Sequence, residues 1–224
     1  MNVTLNPLPS ALDDALRAKI ADLSFPTLGH YLEEGFADPT LRREVGTAKV
    51  VGPAVTVRTL PTDSTLLHHA VSDLRPGDVL VVETGGDRRH APVGFVVAAA
   101  AAAAGAAGII VDGVITDCEE IAELGIPVYA YGRSVLTTKL QGLDGGGVNV
   151  PIVAGGVGVR PGDIVLGDAN GLLFAPESVL QNIIEIALAD DAEEPELVAA
   201  IRQGARLGDE TGATATARAL AAAD

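Results

Sequence analysis

Apolar positions along the chain switch between two spacings, and the switches mark out the elements. From Leu12 to Leu23 they recur three and four apart (Leu12, Leu16, Ile20, Leu23), which predicts a helix over 13–23. Phe25-Pro26-Thr27 breaks that pattern, and a second short helix is expected over 27–35. From Val45 to Leu60 the chain is rich in β-branched residues and predicts strands. A helix follows over 65–72, with Asp63 or Ser64 as its cap. Arg75-Pro76-Gly77-Asp78 reads as a turn into the apolar strand 79–83. Beyond the loop Gly85–His90 come an Ala-rich helix, a strand ending at Val111 and a short helix over 117–124. Gly125-Ile126-Pro127 stops that helix before a strand over 128–131.

The Gly- and Val-rich segment 142–159 predicts tightly packed strands. Arg160-Pro161-Gly162-Asp163 then repeats the earlier turn and leads into a strand over 164–168. The pair is either an internal pseudo-repeat or one favourable turn used twice. A helix over 176–189, an acidic segment over 190–196, a last helix and a weakly ordered tail over 211–224 complete the chain. Strands alternate with helices in the middle and pair directly near both ends. The fold class is therefore α/β, a mixed sheet with helices on its faces. One core domain is expected over 45–178, with helical extensions over 1–44 and 179–224 of the kind that pack on neighbouring subunits.

Composition narrows the partners. Hydrophobic residues make up 48% but aromatics only 3%, so the core is built from Ala, Val, Leu and Ile. A net charge of −15 repels nucleic-acid phosphates and anionic membranes alike. A small anionic substrate would need a local positive centre, either a metal ion or an Arg. A single cysteine, Cys118, rules out an intrachain disulfide and fits a reducing cytoplasm. The first eleven residues carry no basic region followed by an apolar run, so no signal peptide is expected. Residues 91–111 are uncharged and near the length of a membrane span, yet Ala-rich with Gly94, Gly105 and Gly108 inside. They predict a buried helix running into a buried strand.

Two segments could carry chemistry. A helix start near Gly94 offers backbone N–H groups from Gly94, Phe95, Val96 and Val97, which suit a carboxylate or phosphate; alternatively Gly94 is a simple turn. Asp117 lies in the loop after a buried strand, where ligands gather in open α/β sheets, and is a candidate ligand for a hard divalent cation. Alternatively Thr116-Asp117-Cys118-Glu119 is a capping box. Arg88, Arg89 and His90 precede Gly94, as candidate anion-binding groups and a candidate acid–base. Glu83 ends a neighbouring strand and could orient water. His68 and His69 read as packing or surface residues, and Cys118 as a small buried one.

Ala91, Gly94, Gly105, Gly108, Asp112-Gly113 and Asp117, flanked by Thr56-Val57, Asp63, the two Pro-Gly-Asp turns, Gly125-Ile126-Pro127 and Gly167-Asp168-Ala169-Asn170-Gly171, carry a family resemblance. Over about 51–176 the chain resembles the RraA-like / 4-hydroxy-4-methyl-2-oxoglutarate aldolase family. The resemblance implies a β/β/α core like the swivelling phosphohistidine domain, assembled as a homotrimer or hexamer with sites between subunits. It also implies a lyase, of aldolase or decarboxylase type, acting on a 2-oxo or 4-hydroxy-2-oxo acid with magnesium or manganese as cofactor. Asp117 matches the family's metal-binding Asp, and Gly94–Val97 the backbone that holds the pyruvyl carboxylate. In the family an acidic segment near the chain's end reaches a neighbour's site, and Glu193, Glu194 and Glu196 are candidates for it; alternatively they form a solvated acidic turn.

Two positions depart from the aldolases. Thr116 stands where they have a substrate-gripping Arg, and Phe95 where they have Asp or Glu. Each lost charge-assisted contact is worth about 1.5–3 kcal/mol. The departures point to an altered substrate range, with Arg88 or Arg89 as replacements for the missing guanidinium. They equally suit a non-catalytic, protein-binding relative or an enzyme recruited to specialised metabolism.

Overall fold

The computed structural model describes residues 2–222. The chain opens with β1 (Thr4–Leu5), α1 (Asp14–Asp22) and a 3-10 turn (Phe25–His30), then β2 (Arg42–Val45) and β3 (Val50–Arg58). Next come α2 (Thr65–Ser72), β4 (Val79–Glu83), α3 (Phe95–Ala103), β5 (Gly108–Asp112), α4 (Cys118–Glu123) and β6 (Val128–Ala130). Short strands β7 (Gly147–Val148), β8 (Ile152–Ala154), β9 (Val157–Val159), β10 (Ile164–Gly167) and β11 (Leu172–Ala175) precede α5 (Glu177–Arg202), α6 (Leu207–Glu210) and α7 (Ala213–Ala221).

The centre is a parallel sheet, β3-β4-β5-β6, whose crossovers are α2, α3 and α4. Successive side chains on a strand point to opposite faces, so β4 divides its residues between two cores. Leu80 and Val82 pack with Leu67, Val97, Ala101 and Ile121 under the helices. Val79 and Val81 face Ile152, Ala154, Val159 and Phe174 on the other side. A third cluster joins Leu16 and Ile20 of α1 to Leu180 and Ile184 of α5 through Ile164 and Leu166.

Strand β3 serves three partners. Its first half runs antiparallel to β10 and its second half parallel to β4, and its end also pairs antiparallel with β7. The twin turns bracket it. In each, the Asp N–H donates to the Arg carbonyl and the Arg N–H to the Asp carboxylate. The Gly162 N–H donates to the Ala54 carbonyl, while a Cβ on Gly52 would lie 2.1 Å from the Gly77 carbonyl oxygen. The two turns are thus structural equivalents about one strand.

The Ala-rich segment forms a nine-residue helix, and among the described residues no helix is long and apolar enough to cross a membrane. It closes as a Schellman motif: Gly105 has φ +78°, its N–H donates to the Ala102 carbonyl, and the Ala106 N–H donates to Ala101.

Three expectations need correction. The first extension is not only helical: β1 pairs with β7 and β2 with β6, which continues the sheet at both edges. Segment 190–196 does not separate two helices, because α5 runs through Pro195. Asp190 and Asp191 accept hydrogen bonds from Tyr31, Thr27 and the Ser24 N–H, which fastens the acidic turn of helix to the N-terminal segment. Residues 213–221 are helical rather than a loose tail, while Ala223 and Asp224 lie outside the described residues.

Candidate functional site

The loop that follows β5 and the start of α3 meet at Asp117. Strand β5 ends at Asp112, and the chain turns tightly at Gly113, where a Cβ would lie 2.8 Å from the Thr84 methyl. Residues 114–116 then run between two extended segments. The Thr116 N–H donates to the Val93 carbonyl, the Ile115 N–H to Gly132, and the Ser134 N–H to Ile115. Ile115 is fully buried. This clamp delivers Asp117 in a left-handed conformation, φ 55° and ψ 39°, as the N-cap residue of α4. Asp tolerates that region better than most residues, and outliers of this kind gather where a side chain must be aimed.

The aim is across the cleft rather than along its own helix. The Asp117 side chain makes no cap bond to α4, and Thr116 spends its N–H on Val93 and its hydroxyl on Asp117, so the Thr116–Glu119 capping box does not form. Instead Oδ2 accepts the Phe95 N–H at 2.9 Å, and Oδ1 accepts the Thr116 hydroxyl at 3.1 Å. Asp117 therefore caps α3, where an anion is favoured by the helix dipole. Gly94 makes this possible through close approach. A Cβ there would lie 2.6 Å from Asp117 Oδ2 and 2.9 Å from Thr116 Cγ2.

Asp117 lies between two hollows. One, of about 160 Å³, is lined by Gly94–Val97 and Thr116, with His68 of α2, Ser64 just before that helix, and Thr137-Thr138 of a facing strap. The other, of about 350 Å³, continues past Asp117 to Glu119, Glu120, Arg133 and Val135. The strap is held by Asp63, whose carboxylate accepts the N–H groups of Thr65, Gln141 and Leu143 and the Thr65 hydroxyl. Burial works to raise the Asp63 carboxyl, but these hydrogen bonds outweigh it and bring it down to about 2. Asp63, not Ser64, is thus the side chain that caps α2.

The structure brings Gly94, Phe95, Val96, Val97, Thr116 and Asp117 together and places the loop groups apart from them. Arg88 stacks on Tyr131, 3.1 Å from the ring centroid. The His90 ring lies 2.9 Å from Asp87, which also accepts the N–H groups of Arg89 and His90. Burial pushes the Asp87 carboxyl up, yet the His90 and Arg89 amides and the His90 ring hold it at about 2. Neither Arg88, Arg89 nor His90 lines the two hollows. Glu83 pairs with Arg58 rather than facing Asp117. His68, read from sequence as a packing or surface residue, faces the smaller hollow. Its position on α2 relative to α3 depends on tertiary packing, and no local signal marks it. Glu193, Glu194 and Glu196 line a separate groove with Thr27 and His30. Burial raises the Cys118 thiol despite nearby Arg133.

Among the described residues, no three His, Cys, Asp or Glu side chains are grouped to enclose a metal ion. Asp117 offers a single hard carboxylate on an exposed wall, a donor set that suits a magnesium-like cation completed by water and substrate oxygens.

Fold and site together define a mixed α/β protein with an acid-marked cleft at the carboxyl edge of its parallel strands. The family model RraA-like (Aldolase/RraA) matches residues 17–174, and the chain belongs to that family. A relative from Halalkalibacterium halodurans, named "Putative 4-hydroxy-4-methyl-2-oxoglutarate aldolase", is 36% identical over 146 residues, covering 65% of this chain and 69% of the relative. Among solved structures, the RNA-processing inhibitor RraA from Thermus thermophilis superposes with TM-score 0.63 at 32% identity, over 70% of this chain and 94% of that one. RraAS2 of Streptomyces coelicolor, described as an unusual member of the RNase ES inhibitor RraA family, gives TM-score 0.72 at 29% identity, over 85% and 98%.

Proposed function

We propose that the chain is a carbon–carbon lyase of aldolase type that uses a divalent metal to cleave a 4-hydroxy-2-oxo acid into pyruvate and a carbonyl product. The observation that carries this reading is the aimed Asp117, held in a left-handed backbone over Gly94 and pinned by the Phe95 N–H. Its Oδ1 accepts only the Thr116 hydroxyl and the residue is exposed, which leaves lone pairs free for a cation.

Asp117 would hold magnesium or manganese. When bound, the cation supplies positive charge that polarises the 2-oxo group and stabilises the developing enolate. The chain's own groups do the rest. The first amides of a helix lack intrahelical acceptors, so the Val96 and Val97 N–H groups are available to the substrate carboxylate. The Phe95 N–H is committed to Asp117 and serves as a positioning contact. Thr116 keeps the carboxylate oriented through its hydroxyl. The Asp63-anchored strap closes the far wall.

Pyruvate release from 4-hydroxy-2-oxo acids in the presence of magnesium or manganese tests the reading directly. Activity that is absent with either metal, or that survives Asp117→Ala unchanged, rejects it. A competing reading, binding to a ribonuclease without catalysis, draws on the apolar rim: Val96 is 74% and Val135 98% exposed. A stoichiometric complex with an RNase E-type enzyme, together with no lyase activity, would favour it.

A further inference from the structure

The chain's asparagines are Asn2, Asn6, Asn149, Asn170 and Asn182, and their successors set how each side chain can react. Loss of ammonia from an asparagine requires the next residue's backbone nitrogen to reach the side-chain amide carbon. Asn6 precedes Pro7, which has no N–H to lose. Asn2 and Asn149 precede Val3 and Val150, whose branched side chains crowd that nitrogen. Asn182 lies inside α5, where the Ile183 N–H is spent on the helix. Asn170 alone precedes a glycine, Gly171.

The fold leaves this pair open. Asn170 is exposed, in the connection Asp168–Gly171 between β10 and β11. A Cβ placed on Gly171 would meet nothing within 4 Å, so the approach to its nitrogen is unobstructed. The turn closes through the Asp168 N–H, which donates to the Gly171 carbonyl, and among the described residues no acceptor takes the Gly171 N–H. The Asn170 side chain is held by one hydrogen bond, from Nδ2 to Asp168 Oδ2 at 3.2 Å, at the solvent surface. The turn lies by Val50 at the amino end of β3, whereas Asp117 follows the carboxyl end of β5, so it stands apart from the candidate cleft.

We infer that Asn170 is a site of spontaneous deamidation in the folded chain, and that the product loosens the β10–β11 turn. The Gly171 nitrogen loses its proton and bonds to the Asn170 Cγ. The Cγ–Nδ2 bond breaks, and the side-chain NH₂ leaves with that proton as ammonia. One solvent water then opens the five-membered imide at either carbonyl, giving aspartate or, with the main chain rerouted through the side chain, isoaspartate. Nothing is oxidised or reduced. Either product replaces the donor facing Asp168 by a carboxylate. A hydrogen bond becomes a like-charge contact, in a chain whose net charge is already −15. The turn borders an apolar hollow of about 230 Å³ lined also by Phe25, Phe36 and Leu172. Just beyond it the Leu172 carbonyl accepts the Ala37 N–H, so loosening reaches the segment that packs on the hairpin.

Peptide mapping by mass spectrometry, on the full chain held at pH 8 in buffer and in parallel in urea, tests the site. The expected conversion at position 170 in buffer is within about tenfold of that in urea, and at least about tenfold ahead of every other asparagine, a barrier difference of about 1.4 kcal/mol. Asn170→Gln keeps the amide but moves it one carbon out of reach of the five-membered ring, and should abolish the conversion. Asn170→Asp, which carries one of the two products, should exchange the Ala37 N–H for deuterium several-fold faster than the parent. Conversion that needs urea, that another asparagine matches, or that persists at the parent rate in Asn170→Gln overturns the site. Unchanged exchange at Ala37 in Asn170→Asp overturns the loosening.

Discussion

Replacing Asp63 by Asn probes the wall of the cleft without touching Asp117. The Asp63 residue is 6% exposed. Its Oδ1 accepts the Thr65 N–H at 2.9 Å, the Thr65 hydroxyl at 2.6 Å and the Gln141 N–H at 3.1 Å, while Oδ2 accepts the Leu143 N–H at 2.7 Å. Asn keeps an oxygen on one side but turns an NH₂ toward the Leu143 N–H. One hydrogen bond to a charged acceptor is lost and one donor is left facing another, a combined cost of about 3 kcal/mol at neutral pH. Proton linkage gives a second figure. A carboxyl lowered from 3.8 to about 2 on folding contributes about 2 kcal/mol through proton linkage. Because the folded value lies below the unfolded one, that contribution is complete above about pH 4 and is lost as pH falls through about 2. Urea unfolding followed by far-ultraviolet circular dichroism, at one protein concentration, should show Asp63→Asn about 3 kcal/mol less stable at pH 7. The gap should shrink below pH 4 as the parent carboxyl protonates. A variant within about 0.5 kcal/mol of the parent at pH 7, the range of a neutral surface change, would refute the reasoning; so would a gap that persists undiminished at pH 2.

Other substitutions separate aim from stability. Gly94→Ala should displace the Asp117 carboxylate and reduce metal-dependent pyruvate release by about 10- to 100-fold, the worth of one charge-assisted contact, while the melting temperature moves by only a few degrees. Gly52→Ala sets a Cβ against backbone, 2.1 Å from the Gly77 oxygen, and should fail to give soluble folded protein at yields comparable to the parent. With its thiol raised by burial, Cys118 should react with iodoacetamide at pH 7 more slowly than a free cysteine peptide, and at a similar rate once the chain is unfolded in urea.

The elements most visible in the sequence are those decided locally. The β-branched run of β3, the turn before β4 and the Gly105 stop after α3 each declare themselves within a few residues. Strand β11 did not, because Leu172–Ala175 is too short to show a period and exists by pairing with β10. The acidic segment 190–196 read as a separator between two helices, yet α5 runs through it: Pro195 removes a single hydrogen bond from a helix already tied down through Asp190 and Asp191.

Asp117 was legible as a candidate, but its orientation was not. Local sequence placed it inside a capping box closed by Thr116 and Glu119, whereas the contact that positions it comes from Phe95, 22 residues earlier. Arg88 and His90 failed to reach the cleft for a similar reason. Asp87 and Tyr131 hold them, and no spacing rule reveals a stacking partner 43 positions downstream.

The central claim is that a divalent cation docks on the Asp117 carboxylate and presents a 2-oxo acid to the start of α3. Manganese binding followed by electron paramagnetic resonance, with and without oxalate as a mimic of the pyruvate enolate, tests it most directly. The account predicts manganese uptake that oxalate strengthens and that Asp117→Ala abolishes while the variant remains folded. Manganese bound equally by the parent and by Asp117→Ala, or ignored by both, would contradict it.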